Sequence, residues 1–232
     1  MDNKSIVISC EHGGDSIPYK YLYLFKNAHE ILNSHRGYDL GALELFNSIK
    51  NNYIAHKQYA TISRLIIDIN RSPHRRSLYS EFTKHLPKNE KELIFEIYYK
   101  SFRQSFEKEI TTLWSNNTCV LHLSVHSFTP VLNGVVRQTD FGILYNPERI
   151  AEKQFAQIWR EELSVILPDC RTRFNYPFRG KPDGHVRYFR DREKNKYLGI
   201  EFEMNQKYAD DNRIIKGIAH AFNKASERWI NS

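Results

Sequence analysis

Cysteine is scarce in this chain of 232 residues: there are three, Cys10, Cys119 and Cys170, with no close pair and no Cys-x-x-Cys. Such spacing argues against a disulfide framework and for a reducing compartment. Cys10 and Cys119 lie within or beside apolar strands, where a thiol reads as a small buried hydrophobe. No uninterrupted apolar run approaches the roughly 20 residues needed to span a bilayer, so no membrane partner is expected. The opening Met1-Asp2-Asn3-Lys4-Ser5 enters a strand directly and lacks the apolar core of a secretory signal, which points to a cytoplasmic location. Repeats, low-complexity tracts and linkers are also missing, and the length then suits one domain over residues 1–232.

What is present is the composition of a folded protein, 41% hydrophobic and 26% charged, which excludes disorder. The formal charge of +7 raises the question of a nucleic-acid partner. Basic residues are interleaved with acidic ones, as in Lys88 to Lys91 around Glu90 and in the alternating signs of Arg190 to Lys196. No nucleic acid is therefore expected, and the excess charge suits solubility or attraction of an anionic substrate.

Apolar runs predict strands over Ser5 to Cys10, Ile62 to Ile69, Thr118 to Val125, Phe141 to Tyr145 and Tyr197 to Phe202. Helical spacing of apolar residues predicts helices over Leu40 to Lys50, Asn89 to Asn116, Pro147 to Leu167 and Asp210 to Ile230, with Asp39 as a possible N-cap of the first. Arg171 to Arg187, rich in Pro, Gly and Arg, reads as a loop draped over a site. Strands alternating with helices imply an α/β fold with a mainly parallel or mixed sheet flanked by helices.

Four of these apolar runs end in chemically capable residues: Glu11-His12, Asn70-Arg71, His126-Ser127 and Glu203. In open α/β sheets ligands gather outside the carboxyl ends of the strands, so such residues can share one pocket. His12 and His126 each follow an apolar strand and have small or hydroxyl-bearing neighbours, which suits metal ligation. The third ligand is open between Asp15, three residues after His12, and Asp39, which heads a helix. Either Asp also suits capping or turn chemistry. Glu11 ranks last, because alternation along the strand would point it away from His12. Glu201 and Glu203, two apart on one strand, face the same side. Carboxylates in an apolar strand need a partner or a task, either an arginine ion pair or general acid/base work. Arg64, Asn70, Arg71 and Arg187 offer planar forks and an amide for an anionic small molecule.

Several of these segments recur together in one known family. Ser9-Cys10-Glu11-His12-Gly13-Gly14, His35-Arg36-Gly37-Tyr38-Asp39, Asp68-Ile69-Asn70-Arg71, Ser124-Val125-His126-Ser127 and Glu201 through Glu203-Met204-Asn205-Gln206 resemble, in that order, the N-formylglutamate amidohydrolases. The Asp-x-Asn-Arg turn is similar, more distantly, to that of aspartoacylase and the zinc carboxypeptidases, and implies a phosphorylase/hydrolase-like fold. The resemblance implies zinc-dependent hydrolysis of the amide of a small anionic N-acyl amino acid such as N-formylglutamate. It implies His12, Asp39 and His126 as metal ligands, Glu203 as the general base that activates water, and Arg64 as the oxyanion donor. Asn70 and Arg71 would bind the substrate carboxylate; Arg187, from its place at the end of the Gly-Pro loop and not from the resemblance, is expected to bind substrate with them. The rival expectations are a metallopeptidase-like deacylase and a non-catalytic anion-binding protein of the same fold.

Overall fold

The computed structural model describes residues 3–232. Eight strands are present: β1 (Asn3–Cys10), β2 (Ile54–Tyr59), β3 (Thr118–Phe128), β4 (Val131–Leu132), β5 (Val135–Val136), β6 (Phe141–Leu144), β7 (Thr172–Phe174) and β8 (Tyr197–Asn205). Seven α-helices accompany them: α1 (His29–Leu32), α2 (Ala42–Ser48), α3 (Lys88–Ile94), α4 (Ser101–Ser115), α5 (Ile150–Ile166), α6 (His185–Arg190) and α7 (Asn212–Ile230). Six strands form one sheet in the order β2-β1-β3-β8-β6-β7, and β4 and β5 make a separate two-stranded ribbon. The pairs β1–β2, β1–β3 and β3–β8 are parallel, whereas β6 runs antiparallel to β8. The sheet is thus mixed, and the α/β expectation holds.

Alternation along the strands divides the sheet into two chemically different faces. Ile6, Ile8 and Cys10 of β1, Leu121, Leu123 and Val125 of β3, and Ile200, Phe202 and Met204 of β8 join one buried apolar cluster with α2, α5 and α7. Trp159 of α5 stacks on Phe202 with ring centroids 4.6 Å apart; truncating a buried aromatic of this kind costs about 3–5 kcal/mol. Helix α7 starts where Asp211 accepts from the backbone N–H groups of Arg213 and Ile214, and it buries Ile214, Ile218, Phe222 and Trp229 at helical spacing. On the opposite face, Phe106 and Ile110 of α4 and Val186 and Phe189 of α6 cover the lower part of the sheet. The upper part of that face carries Ser124, His126, Glu201 and Glu203.

Two expectations fail here, and one strand is unforeseen. Ile62 to Ile69 is a series of turns, not a strand. Its Leu65, Ile66 and Ile67 are buried against Tyr21, Phe25, Leu78 and Ile94; its Ser63 and Asp68 carbonyls accept from turn N–H groups, and those of Leu65 and Ile66 are met by side chains, with Thr83 Oγ1 donating to Ile66 O at 2.9 Å. Burial without a ladder produces the same apolar run as a central strand. The strand beside β1 is instead β2, whose sequence Ile-Ala-His-Lys-Gln-Tyr is half-exposed at the sheet edge. Within Arg171 to Arg187 the chain contributes the edge strand β7 and enters α6 at His185.

Candidate active site

After Cys10 strand β1 gives way to a turn, in which Ala60 N donates to Cys10 O at 2.9 Å and Gly13 N to Ala60 O at 3.0 Å. Gly14 lies so close to Thr61 that a Cβ would come 2.7 Å from its carbonyl oxygen. Strand alternation ends with this turn, so Glu11 and His12 are both buried. Asp39 is brought to the same place by its backbone N–H, which donates to His12 O at 2.9 Å. The residue that caps α2 is Gly41, with φ of 78°, in the left-handed region that favours glycine. Asp39 is not the cap; its carboxylate is engaged elsewhere.

His12, Asp39 and His126 converge with one donor atom each, all within 4.8 Å of one another. Asp39 Oδ2 lies 2.8 Å from His126 Nδ1 and 3.4 Å from His12 Nδ1. Donors sharing one tetrahedral ion at about 2.0–2.2 Å sit roughly 3.3 Å apart, close to this spacing. His12 Nδ1 is buried without a hydrogen bond. The other nitrogen of each ring faces a carboxylate: His12 Nε2 is 2.7 Å from Asp68 Oδ1, and His126 Nε2 is 2.9 Å from Ser124 Oγ, which donates to Glu11, and 3.3 Å from Glu11 Oε2 itself. The shorter of the two contacts at His12 Nε2, Asp68 at 2.7 Å against Arg64 Nη2 at 3.1 Å, assigns the proton to Nε2 and leaves Nδ1 with a free lone pair, the arrangement of a carboxylate behind a metal-binding imidazole. The residues present fit a divalent metal ion.

The electrostatics follow from these contacts. Burial opposes ionisation of Asp39, but the Arg64 guanidinium and the two imidazoles outweigh it and hold the carboxyl well below its usual range. Asp68 is lowered against its own burial by His12 and Arg64. Burial also opposes a charged His126, yet hydrogen bonds to Asp39 and Glu11 raise it well above the ordinary imidazole value. Glu203 is the exception among the carboxylates. It makes no hydrogen bond or ion pair among the described residues, its Oε2 is buried and unpartnered, and burial pushes it up to about 8.

A cavity of about 450 Å³ opens above this group, lined among others by Arg64, Asn70, Arg71, His126, Glu201 and Glu203. Arg64 Nη1 donates to Asp39 Oδ1 at 3.0 Å. Asn70 Nδ2 lies 3.3 Å from His126 Nε2, and Arg71 Nε lies 3.4 Å from Asp68 Oδ2. Glu201 also faces the cavity, and burial raises its carboxyl. Asp15 is half-buried and stands outside the His12, Asp39 and His126 group. Arg187 is not brought here: its Nε donates to Asp191 at 2.7 Å, and it lines a different cavity. As the third residue of α6 it is held on that helix's outer side by an i,i+4 ion pair.

Sequence reasoning missed the supports. Glu11 accepts from Ser124 Oγ at 2.7 Å and lies 2.6 Å from His185 Nδ1. His185 is fully buried, and its backbone N–H donates to Asn70 Oδ1 at 2.7 Å. It holds two neighbours of His126 and does not reach substrate space. The apparent violation of alternation in Glu11-His12, directly before Gly13-Gly14, is the one sequence signal that could have found Glu11.

An α/β sheet with histidines, carboxylates and arginines gathered around a cavity at the carboxyl ends of its parallel strands defines a hydrolase-type α/β protein. The chain belongs to the N-formylglutamate amidohydrolase family, whose model matches residues 4–209, and is accordingly an amidohydrolase-type enzyme. Several solved structures share its fold. A gene product of Agrobacterium tumefaciens, 22% identical, superposes with a TM-score of 0.80 over 98% of this chain and 92% of that one. The N-formylglutamate amidohydrolase of Ralstonia eutropha, 15% identical, gives a TM-score of 0.75 over 100% and 94%. No curated protein matches the sequence. No helix among the described residues is long and apolar enough to cross a membrane.

Proposed function

We propose that this protein hydrolyses the amide of a small anionic N-acyl amino acid, N-formylglutamate or a close analogue, to a carboxylic acid and a free amino acid, with a divalent metal held by His12, Asp39 and His126. The observation that carries the reading is the convergence of the unpartnered His12 Nδ1 with Asp39 Oδ2 and His126 Nδ1 beside a cavity that also holds the unpartnered Glu203. The all-nitrogen-and-oxygen donor set, two imidazoles and one carboxylate, favours zinc. Bound there, the ion supplies Lewis acidity toward the scissile carbonyl and lowers the pKa of water.

The chain's own residues do the rest. Glu203 accepts the proton of the attacking water and hands it to the leaving amide nitrogen. It needs its carboxylate form for the first of these steps, and a nearby divalent charge favours that form. Arg64, anchored to Asp39 with its guanidinium at the cavity wall, donates to the oxygen of the tetrahedral intermediate; one such donor is worth about 3–4 kcal/mol. Asn70 and Arg71 face the same space and receive the substrate's α-carboxylate. Asp68 and Glu11 keep the two imidazoles in the orientation that points Nδ1 at the ion.

The test is formate release from N-formyl-L-glutamate by protein stripped with chelator and then resupplied with zinc. Turnover that disappears on stripping and returns with the metal supports the reading. Absence of turnover on N-acyl glutamates and aspartates with zinc, cobalt and manganese alike would remove it.

A further inference from the structure

The cavity extends beyond the residues used so far, to a wall made by Phe128, Phe178 and Arg137. Arg137 follows the β4–β5 ribbon, and its place is fixed twice over. Its backbone N–H donates to Pro130 O at 2.8 Å, and its Nη1 donates to Thr129 O at 3.3 Å. The guanidinium carbon lies 5.6 Å from the ring centroid of Phe128 and 5.5 Å from that of Phe178. Two ring faces within cation–π range restrict the guanidinium and lower the entropy lost when it grips a ligand.

Charge and anchoring together single this residue out among the four arginines on the cavity: Arg179 also meets no carboxylate among the described residues, but it is exposed and has no hydrogen bond or ring contact to hold it. Arg64 meets Asp39 at 3.0 Å and Asp68 at 3.8 Å, and Arg71 meets Asp68 at 3.4 Å. Arg137 meets no carboxylate among the described residues, and only one of its five side-chain N–H donors has a protein acceptor. A half-buried, ring-flanked guanidinium without a counter-ion, facing a ligand cavity, is built to receive a planar anion in a bidentate grip. Its field is felt nearby: burial first, then the charges of Arg137, Arg64 and Arg36, lower the pKa of His35 on the same cavity.

We propose that Arg137, clamped between Phe128 and Phe178, holds the side-chain carboxylate of the substrate and so selects acidic N-acyl amino acids over their neutral amides. The assignment rests on the hydrolase reading above, in which Asn70 and Arg71 take the α-carboxylate. It gives the cavity two anion subsites, one beside Asp68 and one on the aromatic wall.

N-formyl-L-glutamate and N-formyl-L-glutamine are near isosteres that differ in this one charge. Formate release from both is compared for wild type, Arg137→Met, which keeps an apolar stem between the rings, and Arg137→Lys, which keeps the charge and loses the fork. Arg137→Met is expected to raise KM for the glutamate substrate about 10- to 100-fold, the loss of a charge-assisted hydrogen-bonded pair. KM for the glutamine substrate should change far less, kcat for the glutamate substrate should stay within about threefold, and Arg137→Lys should fall between. Calorimetric binding of L-glutamate and L-glutamine to the same metal-loaded proteins gives a second readout that needs no turnover. A preference for L-glutamate that Arg137→Met abolishes supports the assignment even if no formate is released, in which case the hydrolase reading alone fails. Turnover with a preference that Arg137→Met leaves intact overturns the assignment and spares the hydrolase. A wild type that does not favour the dicarboxylate, by binding neither ligand or both alike, also overturns it.

Discussion

His126 and Glu203 are register partners on the adjacent parallel strands β3 and β8, both buried and both on the polar face of the sheet. Neighbouring strands lie about 4.8 Å apart, so the ladder hydrogen bonds fix a candidate ligand and a candidate base side by side without a flexible loop. The next pair down the same face is Ser124 and Glu201, and Ser124 supports Glu11 behind His126.

The first prediction concerns Glu203 as base. Glu203→Gln keeps shape and removes proton transfer, so kcat should fall by about 10²- to 10⁴-fold while bound metal stays at the wild-type level. Steady-state formate release together with metal analysis checks this, and a variant with near-normal kcat would remove Glu203 from the mechanism.

Stability against pH offers a test that needs no substrate. In metal-free protein Glu203 keeps its proton up to about 8, against a reference of 4.5. Between those values the folded state binds more protons than the unfolded one, so this residue's contribution is fully present below the lower value and is lost as pH rises through the upper one. Glu203→Gln removes that loss. The variant should gain on wild type by on the order of a few kcal/mol between pH 5 and pH 8.5, measured by denaturant unfolding in chelator. Parallel curves for the two proteins would contradict the burial argument.

Metal uptake should release protons. Hydrogen bonds to Asp39 and Glu11 overcome burial and keep His126 protonated above its ordinary range in the metal-free protein. An ion taking Nδ1 must displace that proton, and by favouring the Glu203 carboxylate it drives off a second, so about two leave per ion at neutral pH and about one in Glu203→Gln. Calorimetric titration with zinc in two buffers of different ionisation enthalpy reads the number directly, and buffer-independent heats in Glu203→Gln would show that His126 is already neutral.

The supporting carboxylates should matter nearly as much as the ligands. Asp68→Asn and Glu11→Gln leave His12, Asp39 and His126 in place but replace the charged acceptors behind the two imidazoles with neutral amides. Each should weaken zinc binding about 10- to 100-fold in a chelator competition. Unchanged affinity would mean that the rings are held by packing alone.

How much of this was legible in the sequence depends on what fixed each residue. His12, His126 and Glu203 stand out because a polar side chain interrupts or ends an apolar strand, a pattern set by local alternation. Asp39 and Arg64 come together through the turn that lays Asp39 N on His12 O, a long-range contact that no local pattern reports. Glu11 was set aside on the assumption that alternation continues past Cys10, whereas the chain turns there. Segment 62–69 reads as a strand because its apolar residues are buried, although turns and side chains, not a strand ladder, satisfy its carbonyls. Strand β2 was invisible for the opposite reason, since an edge strand half in water carries little hydrophobic signal. Arg137 could not be found at all, because its meaning lies in two rings and a missing counter-ion.

The central claim is most directly tested by the metal content of the purified protein, measured by elemental analysis for wild type and His126→Ala, with formate release from N-formyl-L-glutamate assayed on the same samples. The account predicts about one zinc per chain in the wild type, lost in the variant together with turnover. A wild type that holds no metal and gains no activity on addition of zinc, or a variant that keeps both, would contradict it.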